Sequence, residues 1–106
     1  MANANCGGGF ACDLLALSAA ERVRHSEFLQ RLRPAARDVR ELRDGYRFDL
    51  DSARVSFLEA AEWVDFERRC CPFFVFELRI AGGDDGFVIS VTGPEGAKAF
   101  LNSVLA

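Results

Sequence analysis

The chain has 106 residues, 50% of them hydrophobic and 27% charged, with a formal net charge of −3. That is enough for one globular domain with one core and too little for two. Its basic residues are spread among acids on a net acidic chain, which speaks against a nucleic-acid partner; no apolar run reaches the roughly 20 residues of a bilayer span, and Met1-Ala2-Asn3-Ala4-Asn5 lacks the basic start of an export signal, so a cytoplasmic protein without membrane contact is expected.

Residues 1–11, centred on Gly7-Gly8-Gly9, cannot hold a regular element and read as a flexible leader, with a single domain over 12–106. Cys12 to Leu17 is a short apolar run expected to form a first strand. Ser18 and Glu21 have capping-box spacing for a helix that carries the stripe His25, Phe28, Leu29 and Leu32 and that Pro34 stops. Asp44-Gly45 is a tight-turn pair leading into the alternation of Tyr46-Arg47-Phe48-Asp49-Leu50, which predicts a hairpin over Val39 to Leu50. Asp51 or Ser52 can cap a second helix from Ala53 to about Cys70. Pro72 ends it and pushes Cys71 into an extended conformation. The alternating run around Phe74 to Ile80, the loop Gly82 to Gly86 and the run Phe87 to Thr92 predict a second hairpin. Thr92-Gly93-Pro94 starts a last helix with an apolar face of Ala97, Phe100, Leu101 and Val104. The order is strand, helix, hairpin, helix, hairpin, helix. It implies an α+β fold with one mostly antiparallel sheet of about five strands, covered by helices on one face.

Ten phenylalanines against one tyrosine and one tryptophan give that core bulk with few polar atoms to satisfy. The chemistry concentrates at Cys70-Cys71. Adjacent Cα atoms stand about 3.8 Å apart, below the usual disulfide window, so these two thiols are poor staples for each other. In a reducing compartment they suit a soft metal ion, a reactive thiol with a resolving neighbour, or apolar filling of the core. Glu67, three positions before Cys70, continues the stripe Phe57, Ala60 and Val64, so a carboxylate and a thiol can share a core-directed face. Arg68 or Arg69 nearby would favour a thiolate, and the negative helix end opposes it. Cys12 can bring a third sulfur if the first strand lies beside the end of the second helix. Cys-x5-Cys followed far away by Cys-Cys is not a zinc-finger spacing.

His25, the only histidine, can be a ligand or base, but a core-edge residue with one hydrogen bond is the more ordinary reading. Glu59, Glu62 and Asp65 read as a solvated acidic face. Gly93-Pro94-Glu95-Gly96 lacks phosphate-loop spacing and reads as helix initiation.

The segment Glu67-Arg68-Arg69-Cys70-Cys71-Pro72-Phe73-Phe74, followed by Phe76-Glu77-Leu78 and then by Thr92-Gly93-Pro94-Glu95-Gly96-Ala97-Lys98-Ala99-Phe100-Leu101, resembles a family of small bacterial proteins to which no activity attaches. The likeness runs from about Cys12 to the C-terminus and includes Cys12-Asp13-Leu14 and Gly45-Tyr46-Arg47-Phe48. It implies that Cys12, Cys70 and Cys71 belong to one pattern and that Cys6 stands outside it.

Three functions follow as expectations. The first is a thiol protein for metal handling or resistance that binds copper(I), zinc or mercury(II) through Cys70, Cys71 and Cys12, with Glu67 adjacent. The second is a thiol redox protein cycling through a sulfenic acid or disulfide, with Cys71 and Cys12 as partners. The third is an interaction domain whose cysteines only pack. An edge strand around Gly45 or Gly86 can pair between two copies as a homodimer.

Overall fold

A computed structural model describes residues 13–105. In chain order it has a 3₁₀ turn at Leu14–Ala16, helix α1 at Ala19–Ala35, strands β1 at Ala36–Leu42 and β2 at Gly45–Asp51, helix α2 at Phe57–Cys70, strands β3 at Val75–Arg79 and β4 at Gly86–Thr92, and helix α3 at Ala97–Leu105. The fold is α+β, as expected. Its one sheet has four strands rather than about five, in the order β1-β2-β4-β3, and every neighbouring pair is antiparallel.

The missing strand is the one expected from Cys12 to Leu17. Over its described part, Asp13 accepts the Leu15 amide on its carboxylate and the Ala16 amide on its carbonyl. Such local side-chain and turn bonds compete with sheet pairing, and a run this short yields to them. Cys12, Cys6 and the leader lie outside the described residues.

Both long helices open with a complete capping box, Ser18 with Glu21 for α1 and Ser56 with Glu59 for α2. Helix α2 thus starts later than Ala53. Asp51 makes a separate turn, taking the Ala53 amide on its carboxylate and the Arg54 and Val55 amides on its carbonyl. Pro34 falls in the last turn of α1 and the chain leaves the helix at Ala36, whose amide bonds back to Leu32 and Arg33. Helix α3 begins at Ala97, after Gly96 at φ 93°. That left-handed conformation is open to glycine and separates Pro94 from the helix proper.

One face of the sheet, carrying Phe48, Leu50, Ile89 and Val91, packs with Phe28 and Trp63 of the helices in a single buried cluster. Burying side chains of this kind is worth roughly 1.5–3 kcal/mol each. Helices α1 and α2 run antiparallel, since Glu21 pairs with Arg69 at 2.9 Å and Arg31 with Glu59 at 2.8 Å; Arg24 pairs with Glu62 between them. Of the expected acidic face of α2, Glu59 and Glu62 are thus in interhelix ion pairs, while Asp65 pairs with Arg68 within the helix. Each interhelix pair contributes little by itself in solvent, but together they hold a register that places His25 of α1 opposite Glu67 of α2.

Candidate metal centre

Three turns of α2 direct Trp63, Glu67 and Cys70 inward, at steps of four and three residues. Helix α1 meets them with His25, on the stripe that also buries Phe28 and Leu32. His25 and Glu67 are the buried polar side chains of the core, 7% and 8% exposed, and His25 Nε2 is hydrogen-bonded to the Glu67 carboxylate. A ring nitrogen of His25, a carboxylate oxygen of Glu67 and Sγ of Cys70 all lie within 4.8 Å of one another, and all three residues are buried. The His25 ring stacks on Trp63 with centroids 6.4 Å apart and planes at 24°, and the indole packs in turn on Phe28 at 5.3 Å. The buried Nε1–H of Trp63 has no hydrogen-bond partner among the described residues.

Cys70 ends α2, and Cys71 leaves the helix at φ −129°, ψ 71°, its amide still bonded to the Glu67 carbonyl. Cys71 is non-helical, as expected before Pro72, but its ψ falls short of the extended conformation foreseen for it because its amide stays bonded to the last turn of α2. The Phe74 amide returns to the Cys71 carbonyl, so Pro72 and Phe73 form a corner and β3 starts at Val75. Both cysteines are buried within the core cluster. Their sulfurs stand 3.9 Å apart, as the strain argument against a bond between neighbours requires. Cys70 is a free thiol, whereas Cys71 is disulfide-bonded. The expectation of two reduced neighbouring thiols thus holds for Cys70 alone.

Burial pushes the Cys70 thiol up to about 12; the Glu67 carboxylate and Asp13 push in the same direction, and Arg69 opposes them. The influence of Arg69 foreseen on the thiol is present, but desolvation outweighs it. Arg69 is itself committed to Glu21, and Arg68 to Asp65 at 2.9 Å.

The sequence singled out Cys70, Cys71, Cys12 and Glu67. Glu67 and Cys70 come together, and Cys71 is at their side. Cys12 lies outside the described residues, although the next residue, Asp13, donates its amide to the Cys70 carbonyl at 2.8 Å, bringing the chain there to the end of α2. His25, read more ordinarily as a core-edge residue with one hydrogen bond than as a ligand, makes that bond to Glu67 and also belongs to the donor group. The signal that could have found it is the pairing of a histidine and a glutamate on the apolar stripes of two helices, since neither is comfortable in a core without a partner.

Imidazole nitrogen, carboxylate oxygen and thiolate sulfur are the three donor types of zinc sites. An ion held by His25, Glu67 and Cys70 would replace the hydrogen bond between His25 and Glu67, parting those two atoms to bonding distance on either side of it. No family model, curated protein or solved structure matches the chain. Among the described residues no helix is long and apolar enough to cross a membrane.

Proposed function

We propose that this is a small metal-binding thiol protein whose ion is held by His25, Glu67 and Cys70, and that it serves metal handling rather than hydrolysis. One observation carries the reading: a nitrogen, an oxygen and a sulfur donor, all buried, lie within 4.8 Å of one another. Burying an imidazole, a carboxylate and a thiol together is costly in an apolar core, and an ion that takes all three as ligands offsets that cost. With Cys71 held in a disulfide, the donor set is mixed. A mixed set favours zinc, a borderline ion, over copper(I) or mercury(II), which prefer sulfur.

The redox reading draws support from the Cys71 disulfide. Against it stands Cys70, whose thiol at about 12 is almost wholly protonated at neutral pH and so a slow nucleophile. Metal binding does not meet that obstacle, because a bound cation displaces the thiol proton.

The test is zinc titration of the protein as isolated, against a chromophoric chelator, beside Cys70→Ser and His25→Gln. One equivalent should bind, and each variant should bind at least about tenfold more weakly, since each loses a direct ligand. Equal affinity in wild type and Cys70→Ser would reject the site and leave Cys70 as a packing residue.

A further inference from the structure

Cys70 and Cys71 adjoin but differ in state. The first is a free thiol and the second is disulfide-bonded, with 3.9 Å between the sulfurs. Cys70 Sγ is at the same time within 4.8 Å of the ligand atoms of His25 and Glu67. A thiolate is a strong donor to soft ions and a disulfide sulfur a poor one, so the number of sulfurs offered to a cation here depends on redox state.

We infer that reduction of the Cys71 disulfide supplies Cys71 as a second sulfur ligand beside Cys70 and turns the site from a borderline ion, zinc, toward thiophilic ions such as copper(I) and mercury(II). This rests on the metal-binding reading given above. The reductant is a low-molecular-weight thiol, R–SH. A first thiolate attacks the disulfide and forms a mixed disulfide, and a second releases it. Two R–SH become R–S–S–R, the bond to Cys71 breaks, and the two cysteine sulfurs gain two electrons and two protons. A soft cation then displaces the thiol protons of the ligating cysteines. Cys71 is fully buried, so the exchange proceeds through local opening at the end of α2.

Cadmium(II) is the probe, because the thiolate-to-metal charge-transfer absorption grows with the number of ligating cysteines. Protein as isolated and protein reduced with dithiothreitol, then desalted without oxygen, are each titrated. The band should rise about twofold on reduction, one thiolate becoming two, and should stay at the one-thiolate level in reduced Cys71→Ser. Zinc should bind comparably in both states, while mercury(II) should displace it more readily after reduction. A band unchanged by reduction overturns the inference, as does a doubled band in reduced Cys71→Ser, which would make another cysteine the second sulfur. If zinc still binds in a Cys70-dependent way, only the redox inference falls. No cadmium band and no zinc binding in either state remove both. Should Cys71→Ser not fold, Cys71→Ala provides the same comparison.

Discussion

His25 and Glu67, 42 residues apart, are hydrogen-bonded to each other inside the core, and among the described residues no other polar or charged residue is buried. Either side chain alone would be a buried polar group without its partner. His25→Ala should therefore destabilise the fold by about 3 kcal/mol, because it strands the carboxylate. Glu67→Gln, which can still accept from the ring, should cost less. The double change His25→Leu with Glu67→Met should recover most of the loss, since apolar pairs often replace buried polar pairs at no cost. Urea denaturation of the three variants decides the matter. A double variant as unstable as His25→Ala would mean that the pair holds the fold together rather than serving a ligand.

Cys70 makes stability depend on alkaline pH. Its thiol is raised from 9.0 to about 12 in the folded protein, so between those values the unfolded chain has lost a proton that the folded chain keeps. The unfolded state then binds fewer protons, and stability falls as pH rises across this window, by up to about 1.4 kcal/mol per pH unit. Below the unfolded value the contribution is fully present. Urea midpoints of wild type and Cys70→Ala from pH 8 to 10.5 should converge as pH rises. Parallel curves would show that the thiol titrates normally.

The difference between what the sequence disclosed and what it hid is physical. Alternation and turn residues located β2, β3 and β4, because period-two burial is a local property written into each strand. The box Ser18 to Glu21 located α1 for the same reason. The cap of α2 is Ser56 rather than Asp51 or Ser52, which are equally good capping types, because Asp51 closes only its own turn. At the site, Glu67 and Cys70 were legible because helical spacing alone brings them to one face. The meeting of His25 with Glu67 was not, since it depends on the register of two helices, set by ion pairs such as Arg31 with Glu59. The disulfide state of Cys71 could not be deduced from cysteine spacing.

Gly45 begins β2 where the strand lies close against β4. A Cβ there would stand 1.8 Å from the Val91 carbonyl oxygen and 2.8 Å from the Thr92 Cα, and both are backbone atoms of the neighbouring strand β4. No side-chain rotation relieves such a clash. Gly45→Ala should thus cost about 3 kcal/mol, as overpacked sites do. Gly82, with nothing within 4 Å of its Cβ position, is the control, and Gly82→Ala should stay within about 0.5 kcal/mol of wild type. Equal midpoints for the two variants in urea would show that β2 and β4 separate freely at Gly45.

Trp63, the chain's one tryptophan, reports on the site because its ring stacks on His25 at 6.4 Å. An ion that takes up the imidazole changes what the indole faces. Mercury(II), a heavy ion, should quench the fluorescence of wild type in step with binding and leave that of Cys70→Ser largely unchanged. The indole also carries a buried N–H without a partner among the described residues, and an unsatisfied donor lowers the value of the residue that brings it. Trp63→Phe keeps most of the packing against Phe28 and Phe76 and removes that donor, so it should cost under about 2 kcal/mol, whereas Trp63→Ala should cost about 3–5 kcal/mol through the cavity it leaves. Circular dichroism in urea measures both, as fluorescence is lost with the residue. A Trp63→Phe variant as unstable as Trp63→Ala would mean that the indole N–H is bonded to buried water and contributes to stability.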